Sequence, residues 1–254
     1  MTETNGYVQT ETKEGVGVIS FFHPQRNALP ASLLEALTRA MEKSGQDPAV
    51  RVILLQSKGN KVFCAGASFD ELSAIQDEEQ GRRFFMGFAK VINAMRTCPK
   101  FVIGRVQGKC VGGGVGLAAS ADYCLALDSA EIKLSELAVG IGPFVVGPSV
   151  ERKMGVSAFS QLAMDAGGWR SADWARQHGL FAEVHPNEEA MDQAIQKLAK
   201  TLSQSNPEAM AEMKKIFWAG TEHWQELLPE RAAISGRLVL SDFCKNAISA
   251  FKSK

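Results

Sequence analysis

Apolar and polar positions alternate over residues 7–12 and again over 16–22, with the short break "KEG" between them. That period of two predicts a β-hairpin. After the loop "HPQRNALP" the period lengthens, and Leu33, Leu34, Leu37 and Met41 share one face of a helix predicted over 31–44. The run "VRVILLQ" (50–56) reads as a buried strand, followed by the loop "SKGNKVFCAGASFDEL". A helix is predicted over 78–95, stopped by "CPK", and then a strand over 101–107. "CVGGGVGLAA" next opens a helix of about two turns. Two strands are expected over 122–127 and 131–134. From Pro148 onward the pattern is mostly helical, over 149–154, 158–166, 171–177, 188–203, 207–218, 222–240 and 242–251. One strand-like piece, 180–185, interrupts it. "NPEAM" places Asn206 as an N-cap and Pro207 at the first helical position. Strands alternating with helices imply parallel crossovers, hence an α/β chain with a helical C-terminal third.

Composition narrows the partners. The 254 residues are 45% hydrophobic, enough for one large core or two small ones. Lys+Arg and Asp+Glu both number 28, which argues against a nucleic-acid surface or a polybasic membrane patch. Five cysteines, odd in number and without CxxC spacing, argue against a disulfide framework or structural zinc. Reduced thiols suit a cytoplasmic location. No apolar run approaches membrane-spanning length, and the first thirty residues lack a signal-like apolar segment, so a soluble protein with no membrane partner is expected. The four histidines show no metal-ligand spacing.

The glycines raise the chemical question, because each costs a helix about 1 kcal/mol relative to alanine. "GVGLAA" (114–119) satisfies the dinucleotide pattern G-x-G-x-x-[GA], with Asp128 as the acidic partner. The helix before Asp122 is very short for that fold, however, and Gly113 is superfluous to the pattern. Bare glycines at a helix N-terminus can instead expose backbone N–H groups to an anion, where the helix dipole also favours negative charge. If that charge develops on a carbonyl oxygen, the site is an oxyanion hole, and "FCAGASFDEL" (63–72) is the other small-residue loop able to supply a donor. Two tight turns with close backbone packing remain the alternative. No Walker A, HExxH or GxSxG sequence is present.

Taken together, "FCAGASFDEL", "CVGGGVGLAASADY" and "LSELAVGIGP", with the early "HPQRNALP", resemble the enoyl-CoA hydratase/isomerase (crotonase) superfamily over essentially the whole chain. The resemblance implies a spiral of repeated β-β-α units (1–195) carrying an acyl-CoA site. A helical C-terminal oligomerisation region (196–254) would follow, in a homotrimer or homohexamer. It implies that the amides of Ala67 and Gly113 hold a thioester oxygen as an enolate develops. Ala28, Ala65, Phe69 and Gly112 would join them in contacting acyl-CoA. Arg26 would be a phosphate contact or, equally, a solvated loop residue. No cofactor is implied, since coenzyme A enters with the substrate.

The carboxylates bear on the reaction. Hydratases of the family carry two glutamates; here the first position is Gly116, and Ser68 replaces an aspartate, while the second survives as Glu136. The resemblance is therefore closest to the single-glutamate isomerase branch. Hydratase or dehydratase activity, an acyl-carrier-protein thioester, and an acyl-CoA-binding protein without turnover remain alternatives. Glu136 also follows Ser135 at a possible helix start, where it would only favour the helix end. As a base, it should have its pKa raised by Leu134, Leu137, Val139 and Ile141. Glu131 reads as a surface strand residue, Asp122 as support for a strand–helix junction, and Cys64 and Cys110 as small apolar fillers.

Overall fold

The computed structural model describes residues 6–252. Strands β1 (Tyr7–Lys13) and β2 (Val16–Phe22) form the expected hairpin. Its two turn residues, Glu14 and Gly15, both have positive φ (52° and 80°), the tight turn whose twist matches that of paired strands. Next come α1 (Ala31–Gln46), β3 (Val52–Ser57), β4 (Val62–Cys64), α2 (Phe69–Ala74) and α3 (Glu78–Thr97). They are followed by β5 (Val102–Val106), β6 (Lys109–Val111), α4 (Gly113–Ser120), β7 (Tyr123–Leu127) and β8 (Glu131–Lys133). After a 3-10 turn at Leu137–Val139 the chain forms α5 (Gly147–Met164), β9 (Arg170–Ser171), α6 (Ala172–Gln177) and β10 (Glu183–His185). Helices α7 (Glu188–Ser203), α8 (Pro207–Phe217), α9 (Trp224–Leu238) and α10 (Asp242–Lys252) complete it.

The strands divide between two sheets, ordered β1-β2-β3-β5-β7-β10 and β4-β6-β8-β9. All pairs except β1/β2 and β8/β9 are parallel. After the β1-β2 hairpin, the strand pairs β3-β4, β5-β6 and β7-β8 each add one strand to each sheet, which is the expected spiral. The large sheet is covered on both faces: α1 and α3 pack over Ile19, Phe21 and Leu55, while Met191, Ile195 and Ala199 of α7 pack over Val52, Ile103 and Leu125. The expected boundary at 195/196 falls inside the continuous helix α7.

Strands β4, β6 and β9 and helix α2 went unpredicted. Strands of two or three residues are too short to show a period. Helix α2 did have a signal, since Ser68 accepts a hydrogen bond from Glu71 N in an S-x-x-E capping arrangement. The two helices expected over 149–166 form one element, α5, broken at Gly155 (φ 78°). Among the described residues no helix is long and apolar enough to cross a membrane.

Asp122 holds the β7 start as expected. Its Oδ2 accepts from Val102 N (2.7 Å) and Lys214 Nζ (2.5 Å), and its Oδ1 from Trp218 Nε1 (2.9 Å). The Lys214 and Asp122 side chains are 3% and 5% exposed, so removing one partner strands the other charge in the interior. Asp122→Ala is expected to lower the unfolding free energy by about 3–5 kcal/mol in urea titrations. A loss below about 1 kcal/mol, the scale of an exposed pair, contradicts this account.

Candidate active site

Strands β4 and β6 lie side by side with Cys64 opposite Cys110, so the segments that follow them leave the sheet together. Gly66 (φ 88°) turns the first segment toward the second. A β-carbon on it would lie 3.0 Å from Val111 O and 3.5 Å from Gly113 N. The loop at 26–29 braces this arrangement: Ala65 N donates to Arg26 O, Leu29 N to Gly66 O, and Ser68 N to Leu29 O. Gly112 N donates to Lys133 O (2.8 Å). Left over are the N–H groups of Ala67, Gly113 and Gly114, which donate no hydrogen bond among the described residues, and of these three residues Ala67 and Gly113 line the cavity. Gly113 is the first residue of α4, so its amide is one of the unpaired donors at a helix N-terminus.

The remaining glycines serve packing rather than a dinucleotide. A β-carbon on Gly113 would sit 2.1 Å from Phe88 Cε1, one on Gly114 2.7 Å from Cys64 O, and one on Gly116 2.5 Å from Val146 Cγ1. These contacts correct the G-x-G-x-x-[GA] reading of 114–119. The burial that excludes side chains also makes the nearby thiols inert: Cys64 is pushed up to about 12 and Cys110 well above its ordinary value.

Glu136 follows β8 and leads into the 3-10 turn, which is closed by Gly140 in the left-handed region (φ 77°) and by Ile141 N donating to Glu136 O (3.0 Å). Its side chain does not cap that turn. The carboxylate instead lies over Gly112, with Oε1 3.0 Å from where a β-carbon of that glycine would be. Oε2 is buried and has no hydrogen-bond partner. Burial raises the pKa from 4.5 to about 7, opposed by a hydrogen bond from the residue's own backbone. Leu134 and Ile141 are buried nearby in sequence and Val139 faces the same cavity, whereas Leu137 is 50% exposed and cannot contribute as expected.

Ala65, Ala67, Phe69, Gly112, Gly113 and Glu136 all line one cavity of about 60 Å³. Arg26 does not. It is exposed, and it faces a neighbouring open hollow with Lys61 and Lys109. Ala28 is buried behind the loop, outside the cavity lining. The sequence reading did not single out Phe85, Phe88, Phe144, Val146 and Ser235, which complete much of the wall. Phe85 and Phe88 keep the helical spacing of ordinary core residues. Only the bare α-carbons at Gly113 and Gly116 hint that large side chains must approach there.

The enoyl-CoA hydratase/isomerase family model matches residues 11–251, and the chain belongs to that family. A probable enoyl-CoA hydratase of Bacillus subtilis is 25% identical, covering 94% of this chain and 93% of its own. A peroxisomal Delta(3,5)-Delta(2,4)-dienoyl-CoA isomerase of Arabidopsis thaliana is 28% identical, covering 88% and 84%. The fold matches the crystal structure of enoyl-CoA hydratase from Bacillus halodurans with a TM-score of 0.88, at 23% identity over 96% of this chain and 99% of that one.

The raised pKa has a stability consequence with a definite sign. Between pH 4.5 and about 7 the folded protein keeps a proton on Glu136 that the unfolded chain releases, so this residue's contribution becomes less favourable as pH rises through that window. Glu136→Gln is therefore expected to gain stability relative to wild type on moving from pH 4.5 to pH 8, as read by thermal unfolding. A gap that stays constant across that range contradicts the buried, proton-retaining carboxyl.

Proposed function

We propose that the protein is an enoyl-CoA isomerase. The observation that carries this reading is a carboxylate with a buried, unpartnered oxygen, in the same cavity as two backbone amides that donate to nothing. The amides of Ala67 and Gly113 hold the thioester oxygen of a 3-enoyl group. Glu136 takes a proton from C2, and the C–H electron pair moves into a dienolate whose negative oxygen the two N–H groups stabilise. A donor of this kind is worth about 2.7–4 kcal/mol in barrier. The proton then returns to C4, the thioester carbonyl re-forms, and the double bond lies between C2 and C3. A carboxyl with a pKa of about 7 is matched to taking and returning one proton near neutral pH.

Hydration needs a second group to hold and activate water. Among the described lining residues Glu136 is the only carboxylate, and the space a side chain at 116 would enter is taken by Val146. That favours one-base chemistry over the hydratase named in the Bacillus subtilis relative. A basic hollow formed by Arg26, Lys61 and Lys109 next to Ala65 suits the phosphates of coenzyme A. Exposed Ile216 and Phe217 on α8 give the C-terminal region an apolar surface for self-association into a trimer or hexamer. Five free, buried thiols suit a reducing cytoplasm.

Wild type and Glu136→Gln, each given 3-enoyl-CoA in heavy water and followed by NMR, test the proposal. Wild type is expected to move the double bond with deuterium uptake, and the variant to lose at least about 100-fold in rate. Hydroxyacyl-CoA formed from 2-enoyl-CoA, without double-bond migration in the 3-enoyl substrate, contradicts it.

A second variant tests the space beside the base. Gly116→Glu is expected to destabilise the fold by about 1–3 kcal/mol through displacement of Val146, without producing hydratase activity. Hydration at wild-type stability would show that the position is open.

A further inference from the structure

Along α3, Phe88 and Gly81 are two turns apart on one face, with Phe85 between them. Phe88 lies against the α-carbon of Gly113, next to the unpaired amides. At Gly81 the helix meets α9 with nothing between the backbones: a β-carbon on Gly81 would lie 2.6 Å from Gly236 Cα, and one on Gly236 2.5 Å from Arg82 N. No hydrocarbon chain passes through such a contact. Ser235, next to Gly236 and only 1% exposed, lines the cavity.

We infer that the cavity is a blind acyl pocket, closed by the Gly81–Gly236 contact with Ser235 at its end, and that it selects short acyl chains. The inference rests on the acyl-thioester reading of the site but not on which reaction follows. Seven residues of helix separate the amide end from the closed end, about 10 Å at 1.5 Å per residue. An extended chain advances about 1.2 Å per bond, which limits an acyl group to roughly eight carbons. The free space of about 60 Å³ is well below the roughly 150 Å³ of a cavity that admits benzene, which places the preferred length shorter still. Phe85, Phe88, Phe144 and Val146 wall this stretch with apolar side chains.

Binding of saturated acyl-CoA esters, which need no turnover, tests the inference. Calorimetric titration with acetyl-, butyryl-, octanoyl- and palmitoyl-CoA is expected to show butyryl-CoA bound at least tenfold more tightly than palmitoyl-CoA. Ser235→Leu, which fills the closed end, should weaken octanoyl-CoA at least tenfold and leave acetyl-CoA within twofold of wild type. Palmitoyl-CoA bound as tightly as butyryl-CoA overturns the blind pocket alone. So does a Ser235→Leu variant, shown to be folded, that weakens acetyl- and octanoyl-CoA equally. If folded wild type binds none of the four esters, the acyl-thioester reading falls and this inference with it.

Discussion

Residues 112–116 run so close to their neighbours that a β-carbon would collide at nearly every step: with Glu136 at Gly112, Phe88 at Gly113, Cys64 at Gly114 and Val146 at Gly116. The site depends on this constraint. It brings the start of α4 against the segment after β4, leaving the Gly113 and Ala67 amides side by side without partners. It also lets the Glu136 carboxylate rest on the α-carbon of Gly112. A side chain at any of these four glycines would push apart the groups that the proposed function brings together. The helix-weakening cost of the glycines is offset by the fit of α4, which is buried at every residue.

The same packing sets the electrostatics. Burial without a counter-ion raises the Glu136 pKa, as desolvation requires. The charged form is then less stable and more ready to take a proton, in a pocket walled by aromatic and branched side chains. In such surroundings two fixed N–H dipoles act more strongly on a developing negative oxygen than they would in water. On the proposed reading, one base, two donors and little room for water make a coherent set for returning a proton to a different carbon.

Periodicity made the long elements legible: the hairpin, α1, β3, α3, β5 and the helical last third all lie close to where the apolar spacing places them. The strands β4 and β6 were not legible, though they aim the two amide segments, because three residues carry no period. Glu136, Ala67 and Gly113 were found by resemblance to family sequences, and the structure brings them to one cavity. Arg26 and Ala28 share their loop but not that cavity, since the loop acts through its backbone on Ala65 to Ser68. The sequence places pocket-lining residues within 71–94 and 143–150, which include Phe88 and Val146, but does not rank them, and it misses Ser235, because a pocket wall and a core look alike until the helices are packed.

The central claim is that the Ala67 and Gly113 amides are held free to receive a thioester oxygen. Amide proton and nitrogen shifts of the wild-type protein, recorded with and without a saturated short-chain acyl-CoA, test it most directly. The account predicts that these two amide protons move downfield as they begin to donate, more than other amides of the cavity wall. An acyl-CoA that binds while both resonances stay in place would contradict it.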